Sequence, residues 1–133
     1  MSYSNLDHAN HNESTCYYLS KKNEHNDWVI TTAFYAALHF CRHKLFPKRL
    51  QIDGSIRIAD TFEKYCELKG IYKNKHKELR ALIESDFPED IASAYNQLMD
   101  NCFTARYSRY RFSNKISRLS QRRLKAIKNY CLS

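Results

Sequence analysis

Trp28-Val29-Ile30-Thr31-Thr32-Ala33-Phe34-Tyr35-Ala36-Ala37-Leu38-His39-Phe40-Cys41-Arg42-His43-Lys44-Leu45-Phe46 is the stretch whose reading decides the fold. Asn26 or Asp27 offers a helix N-cap in front of it, and Pro47 stops it behind. Wound at 100° per residue, Ile30, Phe34, Ala37, Leu38, Cys41 and Leu45 cover one side, while Trp28 and Tyr35 stand on the other. A helix that is apolar nearly all round belongs at the centre of a bundle.

Working outward, Leu6, Ala9, Cys16, Tyr17 and Leu19 predict a helix over 5–22. Residues 47–55 read as a polar loop ending in the turn and cap Asp53-Gly54-Ser55. The spacing of Ile56, Ala59, Phe62 and Cys66 predicts a helix over 55–69 that stops at Gly70. A basic link, Tyr72-Lys73-Asn74-Lys75, leads to a short helix over 76–85. Asp86-Phe87-Pro88-Glu89 then opens a long helix over 88–111, with Asp86 as the cap. The last helix spans 114–131. With only 2 Gly and 2 Pro, the 133 residues lack the turn signals of an all-β domain, so one all-α domain over 1–133 without a β-sheet is expected. Trp28, Phe34, Leu38, Phe62, Leu98, Leu119 and Ile127 are its expected core.

The net charge of +8 is unevenly placed. Arg106, Arg109, Arg111, Lys115, Arg118, Arg122, Arg123, Lys125 and Lys128 all fall within 101–133, where there is no Asp or Glu. A block of this kind favours a polyanionic partner, nucleic acid first, over an acidic protein or a membrane surface, with a solvated basic face as the plain alternative. On the final helix Lys115, Arg118, Arg122 and Lys125 form a stripe opposite Ile116, Leu119, Leu124, Ile127, Tyr130 and Cys131. The five cysteines are odd in number, widely spread and without metal or redox spacing, so they read as reduced and mostly buried. Met1 to His8 lacks a basic region followed by an apolar run, and 28–41 is too short and too interrupted to span a bilayer. A cytoplasmic chain with no membrane partner is expected.

Three constellations carry chemistry. Trp28, Thr32, Tyr35, His39, Arg42 and His43 share one face of the central helix, suited to a dimer seam or a ligand pocket, or else to core residues bonded to neighbouring helices. His76 and Arg80 lie four apart on one helical face. A His near neutral pKa can exchange protons with a 2′-hydroxyl while an Arg holds the phosphate, which would cut RNA without metal, although any exposed helix can carry such a pair. Phe103-Thr104-Ala105-Arg106-Tyr107-Ser108-Arg109-Tyr110-Arg111-Phe112 interleaves Arg with aromatic rings, a composition suited to phosphates and unpaired bases. Arg109, in line with Ile91, Leu98 and Cys102, also reads as a structural Arg. There is no Gly-rich phosphate loop, no His-Glu-x-x-His helix and no Gly-x-Ser-x-Gly elbow, so neither a cofactor nor a metal is expected.

Asp27-Trp28, Phe34-Tyr35-Ala36-Ala37-Leu38-His39, His76-x-x-x-Arg80, Tyr95-x-x-Leu98 and Ala105-Arg106-Tyr107, taken in this order, resemble a HEPN domain over about residues 5–130. The resemblance implies an up-down bundle of four main helices plus short ones, a homodimer, and membership of a family rich in metal-independent endoribonucleases of bacterial toxin-antitoxin and antiviral systems. On that view His76 is the acid/base, and His39 or Tyr35 assists or orients. Arg80 and Arg106 would contact phosphate, with Tyr107, Arg109, Arg111, Lys115, Arg118, Arg122 and Lys125 along a single-stranded or tRNA-like RNA. His39 with Arg106 is an alternative catalytic site. The family's usual order, Arg first and His a few residues on, is inverted here. A non-catalytic HEPN module that partners a nucleotidyltransferase-like or larger defence protein is therefore the second reading. A DNA-binding accessory is the third, without helix-turn-helix spacing to support it.

Overall fold

Capping chemistry sets the first boundary. Ser4 Oγ accepts from the Asp7 N–H at 3.1 Å and Asp7 Oδ2 accepts from the Ser4 N–H at 2.9 Å, a reciprocal box that opens α1 (Asn5–Ser20). The computed structural model describes residues 3–108 and 111–133. After α1 come α2 (Asn26–Leu45), the strands β1 (Lys48–Ile52) and β2 (Ser55–Ala59), and then α3 (Phe62–Lys69), α4 (Lys75–Asp86), α5 (Glu89–Tyr107) and α6 (Asn114–Cys131). The result is a single, mostly helical bundle with one small antiparallel hairpin.

Helix α2 is central, as its composition requires: it packs against α1, α5 and α6, and only Trp28, Tyr35, His43 and Lys44 along it are exposed. Phe34 is fully buried and meets Tyr95 and Phe103 of α5. A second aromatic cluster, Phe46 with Phe62 and Tyr65, seats α3. Burying side chains of this size contributes roughly 1.5–3 kcal/mol each, which is why the bundle forms around this helix.

The hairpin corrects the expectation of a chain without β-sheet and moves the start of the third helix from 55 to Phe62, behind a Thr61 cap. Asp53 and Gly54 sit at φ 50° and 80°, the two positive values that a tight two-residue hairpin turn needs. Leu50, Ile52, Ile56 and Ile58 alternate with polar neighbours at period two, a strand signal that the helical reading overrode. Directly opposed residues share a face, so Leu50 and Ala59 turn to the core while Ile56 and Ile58, paired with Gln51 and Arg49, are 61% and 56% exposed.

Other corrections are local. Trp28 is 46% exposed rather than core, and Leu119 is half-buried; Phe34, Leu38, Phe62, Leu98 and Ile127 are buried as expected. The cap before α2 is His25, without a side-chain bond; Asn26 and Asp27 already lie inside the helix, where the Asn26 amide donates to the start of α6. Pro88, not Asp86, precedes α5. Asp86 closes α4 and holds Lys48 at 2.7 Å, tying the hairpin to that helix end. The expected extension of the long helix to 111 crosses 109–110, outside the described residues, and α5 ends at Tyr107.

Candidate functional site

Helix α6 starts where Ser113 Oγ accepts from the Ile116 N–H at 3.2 Å. Leu124, Ile127 and Cys131 are buried on one side, and Lys115, Arg118, Arg122 and Lys125 are exposed on the other. Among the described residues none of these four cations is in an ion pair; Lys128, nearer the core, is paired with Glu13 at 2.8 Å. The Asn26 amide donates to the Phe112 carbonyl and to Asn114 Oδ1, both at 2.9 Å. Those bonds pin the start of the basic stripe beside the start of α2.

One residue further along α2, Asp27 Oδ2 accepts from Arg106 NH2 at 3.0 Å, and the Arg106 guanidinium lies 3.9 Å over the Trp28 ring. Arg106 is thus held by a carboxylate and an aromatic face at once. Tyr35 is two turns on from Trp28, on the same side of α2. Burial, then the nearby Cys102 and Tyr107, raises its phenol above the ordinary range. Tyr107 closes the row at 84% exposure, against Phe103. Arg111 is exposed, and Arg109 lies outside the described residues.

His76 and Arg80 both face α5. The exposed His76 lies edge-on to Phe103 at 5.7 Å and near Phe34 at 6.2 Å. That partial loss of water, followed by the Arg42 charge, holds its pKa below the ordinary imidazole range and favours the neutral ring. Arg80 is engaged by Glu84 at 3.3 Å and by Asp100 of α5 at 3.8 Å.

His39 is elsewhere. Its Nδ1–H donates to Asn5 Oδ1 at 2.9 Å and its ring stacks on His8 at 4.9 Å, in a cleft of about 250 Å³ that Arg42 and Glu63, themselves paired at 2.9 Å, also line. Burial, then the Arg42 and His8 charges, pushes His39 down to about 4. Asp27, which anchors Arg106, precedes His39 by twelve residues, about 18 Å of helix axis. The chain therefore does not bring His39 and Arg106 together within one copy.

All five cysteines are buried and free. Among the described residues no group of His, Cys, Asp and Glu is placed to hold a metal ion, and no helix is long and apolar enough to cross a membrane. The acids that engage the candidate arginines, Asp27, Glu84 and Asp100, were not singled out in the sequence for that role. Only the i,i+4 pair Arg80–Glu84 leaves a local trace there. No protein-family model, no curated protein and no solved structure matches the chain.

Proposed function

We propose that this chain is an RNA-binding domain of the HEPN type, acting as a homodimer in a bacterial toxin or antiviral defence system and holding RNA phosphates along α6. The observation that carries the reading is the exposed stripe Lys115, Arg118, Arg122 and Lys125, whose charges meet no carboxylate among the described residues, on a helix whose opposite side is core. Four long helices, α1, α2, α5 and α6, with short α3 and α4 between them, support the HEPN assignment as an up-down bundle. Binding without cleavage is the better supported form. Arg80 and Arg106, the arginines on which phosphate stabilisation would fall, are both held by carboxylates.

Replacing all four stripe cations by Glu tests the proposal. The side chains point away from the core, so the variant keeps its helical circular dichroism and thermal midpoint. Single-stranded RNA binding, followed by anisotropy of a labelled strand, should vanish at moderate salt. Unchanged affinity in the folded variant would move the assignment to the module that docks onto an acidic partner such as a nucleotidyltransferase-like protein. Metal-independent cleavage that falls by roughly two to four orders of magnitude on His76→Ala would restore the nuclease form.

A further inference from the structure

Helices α1 and α6 both pack on α2, and between them runs a groove of about 340 Å³. Its floor is Cys16 and Leu124, both buried, with the small Cys16 thiol donating inward to the Val29 carbonyl at 3.4 Å. Lys128 and Glu13, paired across the groove at 2.8 Å, bridge its two walls, so this acid is already neutralised. Tyr17, one turn on from Glu13, forms the α1 wall; it is 61% exposed and carries the Lys21 ammonium 4.4 Å over its ring. On the α6 wall the Gln121 NH2 donates to the Ser117 carbonyl at 3.3 Å and hydroxyl at 3.5 Å, which leaves Oε1 to accept. The exposed Asn129 amide has no bond to any of the described residues. Lys125 belongs to the groove and to the basic stripe at once. Arg118, seven residues earlier, stands nearly in line with it, about 10 Å away along the axis.

We infer that this groove takes one unpaired nucleobase of the RNA strand held along α6, with Tyr17 on the base's face, Gln121 and Asn129 at its edge and Lys125 on the adjoining phosphate. The inference rests on the RNA reading and deepens it by naming the form of RNA bound. Phosphate contacts along α6 fix a strand's position but do not tell a single strand from a duplex, which presents phosphates as well. A groove that opens onto those cations and holds an aromatic ring does so, because a base reaches the ring only after leaving its own helix. The polar groups point to the same occupant. A side-chain amide sets a donor and an acceptor side by side, the complement of a base edge, whereas an acidic protein segment asks for cations alone. The charge also agrees: Lys21, on the Tyr17 ring, and Lys125 bring two cations that are in no ion pair among the described residues, and Glu13 is held by Lys128.

Three labelled probes are titrated at low salt with the full chain and followed by anisotropy: a single-stranded oligoadenylate of about 12 nucleotides, within the usual range of single-strand sites, an abasic phosphate-sugar strand of the same length, and a blunt RNA duplex. Oligoadenylate should bind more tightly than the abasic strand, and the duplex no better than the abasic strand. Tyr17→Ala should lower the preference for oligoadenylate over the abasic strand by about 5- to 100-fold, the contribution of one stacked base, and Tyr17→Leu should do the same. Tyr17→Phe, which keeps the ring, should retain the preference. Lys125→Ala should weaken both strands alike and leave their ratio unchanged. Circular dichroism of the Tyr17 variants should match wild type, since the side chain is mostly in water. Equal affinity for oligoadenylate and the abasic strand, or an unchanged ratio in folded Tyr17→Ala and Tyr17→Leu, would overturn the groove as a base site and leave the RNA reading standing. Failure of every strand to bind would overturn both, and binding of polyglutamate in their place would give the surface to an acidic protein.

Discussion

In α4, Arg80 lies between Glu84 at 3.3 Å and Asp100 at 3.8 Å; in α6, Arg118 and Arg122 stand exposed one turn apart, and among the described residues no carboxylate is paired to either. Both helices carry the residue types that phosphate chemistry asks for. The difference lies in what surrounds them. Helix α4 contains its own acids and packs on α5, which presents Asp100, so its cation is neutralised within the fold. No acid occurs from 101 to the end of the sequence, so α6 cannot neutralise its own outer face. A positive residue is thus available to a ligand according to the acids its neighbours bring, and its own identity says little about that.

The comparison supposes that the apolar side of α6 is structural and its basic side is not. Ile127 is fully buried, so Ile127→Ala should lower unfolding free energy by about 2–5 kcal/mol in a denaturant titration. Arg118→Ala in the same titration should change stability by no more than roughly 0.5 kcal/mol, the usual range for a surface substitution. Equal costs at the two positions would mean that the stripe is part of the packing.

The helices also separate by salt dependence. Each phosphate contact contributes about −0.7 to the slope of log affinity against log salt for a single strand. Arg118→Ala and Arg122→Ala should each flatten that slope by about this amount. Arg80→Ala should leave it unchanged, because its guanidinium is already paired.

Much of this contrast was legible in the sequence, and the remainder was not for identifiable reasons. The apolar period of Trp28–Phe46 located the central helix, and the acid-free last third located the stripe. Both signals are local. The hairpin was local too, but Asp53-Gly54 serves equally as a helix cap and as a turn, and the i,i+3 spacing of Ile56, Ala59 and Phe62 outweighed the alternation of Ile56 with Ile58. Asp27 meets Arg106 across 79 residues and Asp100 meets Arg80 across twenty, separations over which one sequence carries no pairing signal. Trp28 was misplaced because its ring is large and apolar; its place outside follows from Arg106, which arrives from another helix.

His39 on α2 is a further group whose charge is set by its neighbours in the fold. His39 faces Asn5 and His8 of α1, Arg42 on its own helix and Glu63 of α3, and its folded pKa of about 4 lies below the unfolded value near 6.5. The unfolded chain therefore takes up a proton first as pH falls. The contribution of neutral His39 is complete above about pH 6.5 and is lost on descending toward 4. With the ring partly in water, its size is on the order of 1 kcal/mol. The difference in stability between wild type and His39→Gln should shrink across that window, whereas a constant difference from pH 7 to 4 would remove the titration from the account.

The smallest effect bears on α4 itself. Arg80, Glu84 and Asp100 are each more than a third exposed, and exposed ion pairs contribute between about 0 and 1 kcal/mol, because water screens the attraction and two flexible side chains must be ordered. A double-mutant cycle with Arg80→Ala and Asp100→Ala should give a coupling of only a few tenths of a kcal/mol in stability. The pair would still decide chemistry, since a guanidinium facing two carboxylates offers an incoming phosphate a position that already carries negative charge. Asp100→Asn combined with Glu84→Gln should therefore increase RNA affinity about twofold to tenfold while leaving the bundle intact, by freeing Arg80 for phosphate. An unchanged affinity in that variant would place α4 outside the RNA path altogether and leave α6 as the helix that holds the strand.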